Sequence, residues 1–162
     1  MFLRVSIVLA SLLGAAFSDT IESSETFYPQ VKVANRYVVR SDPVDFFQAW
    51  QRCRESGLRL ATVKSKLDSV KLAEAIETSQ SKPKGPWWIA ATDLGNSPFK
   101  YTWISTNQVL GGYTNFAPKQ PDNANGQENC IEVGRFGAVT WNDWHCTGRI
   151  PYICERYSGD EC

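Results

Sequence analysis

The sequence predicts an α+β domain on three observations. Two segments in its first half have helical periodicity, short strand-like runs follow them, and a long irregular interval extends from Thr106 to Gln127. The chain has 162 residues, 43% apolar and 12% aromatic, enough for a packed core and too aromatic for a disordered chain. Lys plus Arg and Asp plus Glu number 17 each. That balance argues against a basic nucleic-acid binder or a polybasic membrane-surface protein.

The chain opens on a short basic start, Met1 to Arg4, and an apolar run from Val5 to Ala16. Ala16-Phe17-Ser18 then puts small residues where a signal peptidase reads. Residues 1–18 are expected to be a signal peptide cleaved after Ser18, with cleavage after Ala16 as the alternative. The apolar run is too short for the roughly 20 residues of a membrane span, so a secreted, extracellular protein without an anchor is expected. Residues 19–34 form a polar leader, 35–156 the domain, and 157–162 a tail.

Within the domain, Tyr37-Val38-Val39 suits a strand, and Ser41-Asp42-Pro43 predicts a helix start. Phe46, Phe47, Trp50 and Cys53 share one face of that helix, and Gly57 ends it. Ser65 and Asp68 form a capping-box variant for a second helix, with Leu67, Val70, Ala73 and Ile76 at its apolar positions. Past the prolines at 83–86, strands are expected at Trp87 to Ala91, Tyr101 to Ile104, Cys130 to Val133 and Tyr152 to Cys154. A loop as long as Thr106 to Gln127 in a compact domain is usually functional.

The polar residues at and after that loop are unusual in kind. Gln120-Pro121-Asp122, Glu128 and Trp141-Asn142-Asp143 offer three carboxylates and two side-chain amides. These are hard oxygen donors, which suit Ca²⁺ better than zinc or copper. Composition alone also fits a solvated surface loop. In an oxidising compartment the cysteines read as disulfides, and no Cys-x-x-Cys or His-x₃-His spacing supports a zinc site at His145, Cys146 and Cys154. Cys53, Cys130, Cys146 and Cys154 allow three pairings.

Residues 35 to 156 resemble a C-type lectin domain. The resemblance rests on an ordered set: Cys53, Trp88-Ile89-Ala90-Ala91, Gln120-Pro121-Asp122, Glu128-Asn129-Cys130, Trp141-Asn142-Asp143, Cys146 and Cys154. The chain is similar in particular to short, secreted, single-domain insect lectins. The resemblance implies a disulfide-stapled fold of two helices with short antiparallel strands, and the pairs Cys53–Cys154 and Cys130–Cys146. It implies that Gln120, Asp122, Glu128, Asn142 and Asp143 hold both Ca²⁺ and sugar, and that Pro121 is cis. In such a site each sugar hydroxyl needs a donor and an acceptor, so acid and amide side chains stand together.

Gln-Pro-Asp resembles the galactose-type arrangement rather than the mannose-type one. No aromatic stands at 123 to 127 to stack on a sugar's apolar face; Trp144, His145, Phe116 and Phe136 are the substitutes within reach in sequence. An auxiliary calcium site would use Asp93, but Ser97, Asn123 and Asn129 stand where acids often occur. The resemblance therefore implies a calcium-dependent, glycan-binding lectin of innate immunity. A protein-interaction module on the same fold is the alternative. An enzyme is not expected. His145, the lone His, neighbours Asp143, no Gly-x-Ser-x-Gly turn is present, and calcium-bound carboxylates are poor general acids. Cys162 is the odd cysteine, read either as a capped tail or as the link of a disulfide-bonded homodimer.

Overall fold

Strand β1 (Tyr37–Val44) runs through the position at which the sequence predicts a helix start. Ser41, Asp42 and Pro43 are strand residues, and the register with the last strand shifts between Arg40 and Val44. Proline has no N–H to give a ladder, and a bulge is where a strand tolerates it. The capping role passes instead to Asp45, whose carboxylate accepts from Gln48 N at 2.8 Å. These facts come from a computed structural model that describes residues 35–80 and 85–157, all within one unit starting at Val33. The expected signal peptide 1–18, the leader 19–34 and Cys162 lie outside the described residues.

Helix α1 (Phe46–Glu55) buries Phe46, Ala49 and Cys53, while Phe47 stands 46% exposed instead of joining the core. Gly57, at φ +69°, closes the helix in a left-handed conformation that glycine adopts without steric cost. After β2 (Arg59–Leu60) comes α2 (Lys66–Thr78), whose N-cap Ser65 accepts from Asp68 N at 3.1 Å, as expected. Its buried face is another correction. Asp68, Ser69, Leu72 and Ala75 point inward, whereas Leu67 and Val70 are exposed. Polar partners account for the rotation: Asp68 meets Arg36 at 2.7 Å and Ser69 meets the Tyr113 hydroxyl at 2.8 Å.

The remaining strands are β3 (Trp87–Thr92), β4 (Thr102–Trp103), β5 (Gln108–Val109), β6 (Cys130–Val133), β7 (Trp141–Trp144) and β8 (Ile150–Glu155). The sheet runs β1-β8-β3-β4-β5, with β2 on β8 and the β6–β7 hairpin on β3. All pairings are antiparallel except β3 with β8, which meet in parallel at Trp88 and Tyr152. Strand β7 is not among the strands expected from sequence, where Trp141-Asn142-Asp143 figures only as a set of site residues.

Trp88, Trp103, Trp141 and Phe46 are the largest fully buried side chains. Trp103, Tyr113 and Phe116 each meet Trp141 edge-on, with ring centroids 5.4 to 5.9 Å apart. Such aromatic pairs add about 0.5–1.5 kcal/mol each beyond burial, so the start of β7 is firmly anchored. Two disulfides, Cys53–Cys154 and Cys130–Cys146, are the pairs the resemblance implies. The first ties α1 to β8 and the second pins the segment after β7 to β6.

Candidate functional site

Anchoring Trp141 decides where its neighbours point. Side chains alternate along a strand, so Asp143 shares the Trp141 face and Asn142 takes the other. Asp143 is fully buried, yet its carboxylate is reached by the preceding loop: Asp122 N donates to Oδ1 at 3.2 Å and Asn123 N to Oδ2 at 2.7 Å. Tyr101 adds a longer hydroxyl contact at 3.5 Å. Burial first, and then the charges of Asp143 and Asp93, push the Tyr101 phenol far up, which keeps it a neutral donor.

The loop bends sharply to make this approach. The Gln120–Pro121 bond is cis, and Asn123 and Asn125 take positive φ values of 45° and 56°, a conformation asparagine tolerates better than most residues. A single 3-10 turn (Ala124–Gly126) returns the chain to Glu128. There Asn123 Oδ1 accepts from Glu128 N at 3.1 Å and Glu128 Oε2 accepts from Ala124 N at 3.3 Å. Asp122, Glu128 and Asp143 thereby offer oxygens that all lie within 4.8 Å of one another. Glu128 and Asp143 are buried and Asp122 is exposed. Among the described residues no Lys or Arg pairs with these three; His145 Nε2 stands 3.9 Å from Glu128 Oε1.

Like charges at that spacing repel. The Glu128 carboxyl is held above the usual carboxylate range, chiefly by burial and then by the Asp143 and Asp122 charges, against the Ala124 N–H and His145. Of the two amides predicted from sequence, Gln120 adjoins the cluster, its Oε1 accepting from Asp122 N at 3.2 Å. Asn142 bonds elsewhere through its amide N–H. Its Nδ2 donates to Glu132 Oε1 at 2.9 Å and to the Asp143 carbonyl at 2.5 Å, leaving Oδ1 as its uncommitted atom.

Glu132 is a residue sequence reasoning passed over. It is fully buried, bonded through both carboxylate oxygens to Arg135, and Arg135 lies 4.0 Å over the Trp144 ring. The signal was present: a lone acid in the apolar run Cys130 to Val133. At the auxiliary position, Asp93 is spent on protein contacts, accepting from Asn129 Nδ2 and Phe99 N, both at 2.9 Å. Among the described residues, the only cluster of three such ligands is Asp122, Glu128 and Asp143.

The Lectin C-type domain family model matches residues 42–156. The chain belongs to the C-type lectin domain family. It is 33% identical over 159 residues to a C-type lectin galactose-binding isoform of Pseudechis porphyriacus, covering 94% of this chain and 97% of that one. It is 39% identical over 71 residues to perlucin of Haliotis laevigata, covering 43% of this chain and 44% of perlucin. In structure it resembles the cow C-type carbohydrate-recognition domain of CD23 crystallised with a GlcNAc2Man3 oligosaccharide. That match has TM-score 0.64 and 25% identity, and it covers 75% of this chain and 87% of the other.

C-type lectins typically bind Ca²⁺, and the donor set of this C-type lectin domain suits such an ion. Calcium takes about six to eight oxygens in flexible geometry. Here three converging carboxylates have backbone donors on only some of their lone pairs, and the side-chain carbonyl of Gln120 stands beside them. Of the aromatics considered as sugar platforms, Phe116 packs on Trp141 and Trp144 lies under Arg135, whereas Phe136 is 57% exposed.

Proposed function

We propose that the protein is a secreted, calcium-dependent lectin that prefers galactose-type to mannose-type sugars and recognises glycans on microbial or cell surfaces in innate immunity. The observation that carries this reading is the convergence of Asp122, Glu128 and Asp143 within 4.8 Å. Gln120 stands beside these carboxylates and Asn142 keeps its Oδ1 for the ion, the amide-then-acid order of Gln120-Pro121-Asp122 supports the galactose preference, and a galactose-binding relative in Pseudechis porphyriacus agrees with it. Calcium would be held by these residues and would supply a Lewis-acidic centre for two sugar hydroxyls. The chain's own part is to align acceptors and donors around them.

The test is retention on galactose and mannose resins with calcium and with EGTA. Wild-type protein is expected on galactose with calcium and in the flow-through with EGTA, and Asp143→Ala is expected to lose both calcium and sugar by about 100-fold or more. Undiminished sugar binding by that variant overturns the assignment. Exchanging Gln120→Glu with Asp122→Asn should turn the preference toward mannose, since it reverses which side donates. Cys162 would join two copies, raising avidity ~100-fold on a dense glycan surface. Non-reducing electrophoresis beside a Cys162→Ser control reads that bond.

A further inference from the structure

We infer that a groove beside the calcium cluster is a second subsite, which takes an inner sugar of an oligosaccharide whose terminal sugar sits on the proposed calcium site. The inference rests on the lectin reading above and deepens it. The groove measures about 570 Å³, within the ~300–1,000 Å³ typical of small-ligand sites. Its walls come from the start of α1, from Leu94 after β3, and from the residues flanking the cluster, Gln127 and His145. A smaller hollow of about 310 Å³ shares Phe47 and Leu94 as walls, so the depression continues across them.

Three features fit a pyranose better than a peptide or a lipid. First, Phe47 and Leu94 are 46% and 44% exposed, the apolar surface on which a sugar ring lays its C–H face. Phe47 is held edge-on to buried Phe46, centroids 5.4 Å apart, and Phe46 meets Trp88 at 5.7 Å. A platform fixed in this way loses little freedom when a ligand arrives. Second, the rest of the wall is dominated by uncharged amides such as Gln48, Gln51 and Gln127, each carrying a donor and an acceptor as hydroxyls require. Third, the groove adjoins the cluster: His145 lines it and lies 3.9 Å from Glu128 Oε1.

The experiment is calorimetric titration of the full secreted chain, in calcium, with methyl β-galactoside, methyl α-mannoside, lacto-N-neotetraose and mannotriose. The oligosaccharide ending in the preferred sugar is expected to bind at least about tenfold tighter than the matching monosaccharide. Phe47→Ala and, separately, Gln51→Ala should cut that advantage to about twofold while leaving monosaccharide and calcium affinities unchanged. Both side chains are exposed, so neither change removes core packing, and an unchanged melting temperature checks it. An oligosaccharide advantage that is absent, or that survives both substitutions, overturns the subsite and leaves the lectin reading standing. Failure of every sugar to bind in calcium overturns the lectin reading and the subsite together.

Discussion

Glu128 shows at the scale of one residue how a cluster of acids stores a liability that a bound cation would relieve. Its carboxyl is held above the ordinary range because it is buried beside Asp143 and Asp122. A folded protein that binds this proton more tightly than the unfolded chain loses stability as pH rises through the window between the two values. The cost is fully present above the raised value, shrinks as pH falls through the window, and vanishes below the ordinary carboxylate range. Glu128→Gln keeps an acceptor for Ala124 N and removes the charge, so in EGTA at pH 7 it is expected to raise the melting temperature by a few degrees. Thermal melts from pH 4 to 8 should show that advantage closing toward acid. With saturating calcium the order should reverse, because the wild type gains binding free energy that the variant forgoes. A variant less stable than wild type in EGTA at pH 7 would overturn this account.

At the scale of elements, α2 gives the clearest contrast between pattern and packing. Leu72→Ala is expected to cost about 2–5 kcal/mol, since Leu72 is fully buried, whereas Leu67→Gln and Val70→Gln should stay within about 0.5 kcal/mol. Urea unfolding of the three variants measures this, and equal losses would contradict the burial. The sequence pattern pointed to Leu67 and Val70 because periodicity registers apolar residues and is blind to the partners that draw Asp68 and Ser69 inward. The same limit explains the strands. β1, β3, β4, β6 and β8 fall in β-branched or aromatic runs that the sequence marks; β2 and β5, two residues each, lie in no such run. β7 reads Trp-Asn-Asp-Trp, whose polar pair drew attention as chemistry and hid a strand. The helix start slipped from Ser41 to Asp45 because a proline fits a bulge as well as a first turn, and only the β8 pairing decides which. At the site, spacing along the chain named the three carboxylates that converge, while Glu132 and the turn of Asn142 toward it depend on cross-strand register.

At the scale of the whole molecule, the pairing of β1 with β8 has a mechanical consequence. Tyr37 stands opposite Glu155 in an antiparallel ladder, so tension applied between residues 35 and 157 opens the two strands one bond at a time, as a zipper. The opening stops at Cys53–Cys154, where a covalent bond takes over the load. Everything between those cysteines, including Gln120, Asp122, Glu128, Asn142 and Asp143, is then bypassed by the force. Optical-tweezer extension of the oxidised domain should halt after roughly 70 Å, the reach of residues 35–53 and 154–157 outside the disulfide, with any bound calcium retained. Under reductant the same pull should run through the whole domain and release the ion. In a lectin domain built this way the candidate site lies in the loops while strain is borne at the ends, along separate routes.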